Sequence, residues 1–201
     1  MTAAFPTTLL HAAFPAAFSS SALSGARSHP LRAVALTILG SLALAVSAKM
    51  QFPFGPVPFT MQTYVVLLLG ALLGARLAGA SVMLYLVEGL AGLPVFTAGG
   101  SLAYLASPTF GYLIGFLPAA VFIGHFTERG LGRTLRSGLL LMTIGNALLY
   151  TFGLLWLAMT VGIERAYWIG LHPFWAPEIV KTVLAALSVT LAWKALTPRR
   201  S

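Results

Sequence analysis

Two opposite charges three residues apart, Glu178 and Lys181, stand near the head of an apolar run that continues to about Leu196. On a helix, positions i and i+3 share a face, so this pair can present an acceptor and a donor side by side. Pro177, just before them, suits a first helical position, because its missing N–H would have had no intrahelical partner. Ionisable groups in a helix of bilayer length are costly, about 2.5–3.5 kcal/mol each at its centre on insertion scales. Two readings follow from the residues alone. The pair is either a mutual salt bridge, with the lysine stem snorkelling towards headgroups, or a device that faces a polar ligand.

Other chemistry is scarce. The chain has four acids, four histidines and no cysteine, so a disulfide framework and a thiolate metal site are both excluded. It has no G-x-x-x-x-G-K-[ST] phosphate loop, no H-E-x-x-H pair and no G-x-S-x-G elbow. His125 and His172 stand alone beside connections between apolar runs. The expectation is a protein that is no enzyme and holds no metal or cofactor. What remains is recognition, by a few polar groups set in an apolar and aromatic pocket.

The elements that must position those groups are membrane helices. Of 201 residues, 58% are hydrophobic and 8% charged, with mean hydropathy +0.90; a soluble domain carries about 25% charged residues. The net charge of +8 does not mark a nucleic-acid surface, because the arginines sit in short connections between apolar runs. Six spans are expected, at about 31–48, 58–74, 77–92, 108–126, 137–161 and 177–196, giving an all-α polytopic membrane domain over 31–201. Residues 1–30, rich in Ala, Ser, Phe and Pro, read as a loose cytoplasmic tail.

An even number of spans puts both termini on one side. Arg27, Arg32, Arg76, Arg129, Arg133, Arg136, Lys194, Arg199 and Arg200 fall there, which makes it the cytoplasmic side of a cell membrane. Lys49, Arg165 and Lys181 are left towards the other side, together with two proline- and glycine-broken loops. The first, over 49–62, carries Phe52, Phe54, Val57 and Phe59; such an apolar loop should fold back as a lid or pocket wall. The second ends in Gly99-Gly100, which permits close approach of a ligand. Asn146 and Tyr150, four apart on one face, point the same way, as does Glu88. Non-helical backbone at membrane depth is tolerated only where it is buried in protein or lines a cavity, so a capped pocket is expected in the outer half. Ala33, Thr37, Ser41 and Ala45 make a stripe of small residues on the first span, suited to close helix contact inside the protein or with a partner.

At this point the outer loops carry a resemblance. GPVPFTMQTYVVLLLGALLG (55–74), GLPVFTAGG (92–100), SPTFGYLIGF (107–116) and Glu178-x-x-Lys181, in that order, resemble the BioY family, the biotin-specific substrate-binding (S) components of energy-coupling factor (ECF) transporters. The likeness runs from about Leu31 to Leu196. It implies six membrane helices, cytoplasmic termini and an outward biotin pocket, with an ECF transmembrane subunit and ATP-binding cassette ATPases as partners. It further implies that Glu178 accepts from a ureido N–H of biotin while Lys181 donates to the ureido carbonyl or to a carboxylate. Asn146, Tyr150 and Gln62 become secondary polar contacts, and Phe52, Phe96, Tyr112 and Trp175 become covers for the apolar bicycle. The family usually has Asp preceded by Gly where this chain has Pro177-Glu178. The stripe Ala33, Thr37, Ser41 and Ala45 becomes a docking surface for the transmembrane subunit. The competing readings are import without dedicated partners, capture of another small vitamin, and a membrane scaffold in which the Glu–Lys pair is structural.

Overall fold

A computed structural model of the chain describes residues 28–52 and 57–196. Most of the expected tail (with Arg27), Phe54, Arg199 and Arg200 lie outside the described residues, while residues 28–30 already belong to the first helix. Among the described residues, five helices are long and apolar enough to cross a membrane. They are α1 (Ser28–Lys49), α2 (Gln62–Leu90), α3 (Phe110–Glu128), α4 (Leu135–Val161) and α6 (Trp175–Leu196). Shorter pieces join them: strands β1 (Gln51–Phe52) and β2 (Phe59–Thr60), a 3-10 turn at Leu102–Ala106, and the one-turn helix α5 (Ile163–Ala166), which runs into a π-helical turn at Tyr167–Leu171. The two strands pair antiparallel, Gln51 opposite Thr60 and Phe52 opposite Phe59.

The expected second and third spans are the two limbs of α2, two helices that meet at a reversal at Gly74. There φ is 79° and ψ 173°, a conformation that glycine adopts without a steric penalty. The Gln62 side-chain amide donates to the Tyr85 hydroxyl at 2.8 Å. In a straight helix, 23 residues would separate these two by about 34 Å, so the limbs on either side of Gly74 lie antiparallel. The second limb begins at Ala75, and its first free N–H donates to the Glu128 carboxylate at 2.9 Å. The end of α3 therefore caps a helix that starts in mid-element.

Small residues set how closely the helices pack. A Cβ on Gly115 would stand 2.6 Å from the Leu149 carbonyl oxygen, and one on Gly145 would stand 2.4 Å from Ile123. Side chains of that size cannot be admitted without moving α3 from α4. Gly130 and Gly132, both at positive φ, turn the chain between those helices, and Thr134 with Ser137 forms a capping box that starts α4.

The bundle has two unlike ends. At one, the Gly74 reversal meets the end of α3 through Glu128, and Arg133 lies over the Trp193 ring of α6 at 5.0 Å. Arg76, Arg129, Arg136 and Lys194 belong to the same end by sequence position. At the other, Lys49 donates to the Phe96 carbonyl at 2.7 Å and the two limbs of α2 meet through Gln62 and Tyr85. There Tyr85, Phe96, Phe116, Leu149 and Phe174 form the buried apolar core.

The small-residue stripe of α1 turns towards α2. Ser41 is fully buried and donates to the Glu88 carboxylate, and Ala45 packs on the core. Ser41 is therefore not available to a partner in this arrangement: a hydroxyl inside an apolar seam needs an acceptor, and Glu88 supplies it. Ala33 and Thr37 are half-buried. The exposed face of α1 is made instead by Leu31, Val34, Ile38, Leu39, Leu42 and Val46.

Replacing Glu128 by Ala should lower stability by about 0.5–2 kcal/mol, the range for losing a helix cap. Thermal unfolding of the purified variant in detergent measures this, and an unchanged melting temperature would show that the cap contributes nothing.

Candidate substrate pocket

Glu178 and Lys181 face inward from the first turns of α6, 6% and 3% exposed. They form an ion pair with each other. Lys181 also donates to the Thr60 carbonyl at 2.8 Å and to the Thr63 hydroxyl at 2.7 Å. The Thr63 hydroxyl in turn donates a hydrogen bond to the Glu178 carboxylate at 3.1 Å, so one hydroxyl bridges the two charges. All three ammonium donors are thus engaged, and the cation stands 4.3 Å from the centroid of the Phe59 ring. The Asn146 amide of α4 donates to the second Glu178 oxygen at 3.3 Å and to Thr182 at 3.0 Å.

The polar cluster forms the floor of a partly open cleft of about 50 Å³. That is well short of the roughly 300–1,000 Å³ common for small-ligand sites, so the walls must move apart to admit a ligand. The walls are mainly apolar: Val57 and Pro58 from the loop, Leu113 and Phe116 from α3, and Phe174 ahead of α6. Tyr112 and Tyr150 meet edge to face at 5.4 Å, and Tyr112 is fixed by donating to the Gly170 carbonyl at 3.0 Å. Phe59 and Phe174 stack nearly parallel, with centroids 6.5 Å apart. Val57, Pro58 and Thr60 of the expected proline-rich loop line the cleft, and the β1–β2 pairing brings Phe59 and Thr60 over α6.

Five of the expected site residues line this cleft: Glu178, Lys181, Gln62, Tyr112 and Tyr150. Asn146 reaches it only through Glu178. The structure puts the other five elsewhere. Phe52 is 67% exposed on β1, tilted against Phe59. Phe96 is fully buried between Tyr85 and Tyr104, sealing the space over Gly89. Gly99, with φ +108°, closes a tight turn back to Phe96, and Gly100 is pressed against the Leu93 carbonyl. Both glycines belong to that turn and stand outside the cleft lining. Trp175 is 58% exposed and borders a neighbouring groove between α4 and α6, which shares Tyr150 and Glu178 with the cleft and is also lined by Asn146, Ile179, Thr182 and Val183.

Sequence reasoning missed Thr60, Thr63, Thr97, Tyr104, Thr109 and Phe174. Thr63 follows Gln62 directly at the start of an apolar helix, where an unexplained run of polar residues was the available signal. Phe116 was legible too, one turn beyond Tyr112 on the same face.

The BioY family profile matches residues 18–198. The chain belongs to the BioY family. Its relatives include "Probable biotin transporter BioY" of Pyrococcus horikoshii, 37% identical over 155 residues, covering 77% of this chain and 91% of that one. "Biotin transporter BioY" of Rhizobium etli is 36% identical over 156 residues, 73% of this chain and 83% of the relative. Among solved structures, the S-component for biotin from an ECF-type ABC transporter superposes with a TM-score of 0.74 at 23% identity, covering 84% of this chain and 94% of that one. That likeness shows a shared fold. This BioY member is a membrane protein of a transporter family.

Removing one charge of a buried pair should cost more than removing both. Lys181→Met alone strands the Glu178 carboxylate and should destabilise by about 3–5 kcal/mol. Adding Glu178→Leu to it should recover at least half of that loss. Unfolding of the two single variants and the double variant measures the coupling. Simple additivity would mean that the charges do not support each other.

Proposed function

We propose that this BioY member captures biotin from outside the cell and holds it in the cleft floored by Glu178 and Lys181. The observation that carries the reading is a buried, internally neutralised acid–base pair facing an aromatic cleft. A urea group suits that arrangement, since it offers N–H donors and a carbonyl acceptor without net charge. Lys181 has no spare donor, so a ligand must exchange for a contact already made. A ureido group inserting between the pair replaces the direct contact with two hydrogen bonds, an N–H to Glu178 and the carbonyl to Lys181. Each charge keeps a partner throughout, and the penalty for an unpaired buried ion is avoided. The thioether bicycle of biotin then lies among Tyr112, Phe116, Tyr150 and Phe174, and its valerate reaches the open side. Glu178, one methylene longer than the family's usual Asp, carries its carboxylate further into the cleft.

The chain sits in the cell membrane with six crossings, the two limbs of α2 serving as two of them, and with both termini in the cytoplasm. The arginine-rich end of the bundle supports that orientation. The pocket then opens outward. Uptake is driven by a separate ECF transmembrane subunit and its ATPases, as in the ECF-type assembly named for the structural neighbour. Ala33 and Thr37, half-buried at the arginine-rich end of α1, leave room for a helix of that subunit to approach.

Titrating detergent-purified protein with biotin and with biotin methyl ester tests the ligand. Saturable one-to-one binding of biotin is expected. Glu178→Gln should weaken it about 10- to 100-fold, the worth of a hydrogen bond to a charged group, while leaving the protein folded. Absence of saturable binding, or displacement of biotin by another small vitamin at equal concentration, would overturn the assignment.

A further inference from the structure

Tyr85 lies outside the cleft lining, fully buried between Gln62 and Phe96. Its hydroxyl has two neighbours. It receives the Gln62 amide N–H at 2.8 Å and faces the Val95 carbonyl at 3.4 Å. A backbone carbonyl can only accept, so the Tyr85 proton is directed to Val95, and the Tyr85 oxygen is left as an acceptor. Gln62 must then turn its NH2 towards Tyr85. Its carbonyl oxygen is left on the other side, where the Thr60 hydroxyl donates to it at 3.3 Å and where the residue lines the cleft. Rotating the amide by half a turn would make Tyr85 donate to Gln62 and would leave the Val95 carbonyl without that partner. The polarity of this chain, from Val95 through Tyr85 to Gln62, is therefore set from the backbone outward.

We propose that Tyr85 is a positioning residue that locks Gln62 as a hydrogen-bond acceptor towards the cleft, so that the site demands an N–H donor from its ligand at that point. The inference rests on the biotin reading above and sharpens it. Glu178 on one side and Gln62 on the other are two separate acceptors, and a ureido ring has two separate N–H groups to meet them. A ligand with an acceptor or a methyl group where the second N–H should stand is rejected at Gln62, whatever it does at Glu178. Freed from Tyr85, Gln62 can offer either end of its amide, and this discrimination is lost.

The test uses the purified full chain and three ligands: biotin and its two ureido N-methyl isomers. Wild-type protein should bind biotin tightly and lose affinity for both isomers, one through Glu178 and one through Gln62. Tyr85→Phe, which keeps the ring and removes only the hydroxyl, should weaken biotin about threefold to tenfold. It should leave affinity for the Gln62-facing isomer unchanged, so the selectivity between that isomer and biotin shrinks. Gln62→Glu presents an acceptor oxygen in either rotamer, so adding Tyr85→Phe to it should have no further effect on biotin. Gln62→Met gives the same loss of selectivity without altering Tyr85, should the phenylalanine variant not fold. Equal weakening of all three ligands by Tyr85→Phe would reduce the residue to a packing role and overturn the proposal, as would unchanged affinity for biotin. If wild-type protein binds no biotin at all, the ligand reading falls and takes this inference with it.

Discussion

Two full charges can remain inside an apolar bundle only if each always has a partner. That condition explains more of this structure than any other. Lys181 uses its three donors on Glu178, Thr63 and the Thr60 carbonyl, and Glu178 receives Lys181, Thr63 and Asn146. Those partners come from α2, α4, α6 and the strand β2. The pair therefore ties three helices and a loop to one point, although it is a poor source of net stability in itself.

The remaining architecture delivers those partners. The reversal at Gly74 brings the start of α2 back beside its own end, which places Thr63 and Gln62 in the cleft and Tyr85 behind them. The β1–β2 pairing lays Thr60 and Phe59 over α6. Glycines on α3 and α4 let Tyr112 and Tyr150 come near enough to meet. The floor of a cleft built this way is already hydrogen-bonded, so a ligand exchanges contacts there and does not have to order the charged pair first.

What could be read in advance followed the same physics. Glu178 and Lys181 stood out because charge in an apolar helix is expensive, and the helices stood out because the apolar runs are long. Arg76 marked the turn between the two limbs of α2, and the reversal itself stands at Gly74. Phe96, Gly99 and Gly100 were expected at the ligand because aromatics and chain breakers look alike whether they line a cavity or seal a turn. The small stripe of α1 had the same ambiguity, since spacing shows that something packs closely and not what; for Ser41 the answer is Glu88. Thr63 was missed for a different reason. The Gln62-Thr63 pair signalled polarity at the head of an apolar helix, but the role of Thr63 depends on two charges more than a hundred residues away.

The most direct measurement is the position of the sulfur of bound biotin, found by anomalous scattering from crystals of the complex. The account predicts a peak among Tyr112, Phe116 and Phe174, with the ureido ring between Glu178, Lys181 and Gln62. A peak in the groove beside Trp175, or one with Glu178 and Lys181 still in direct contact and the ligand elsewhere, would contradict it.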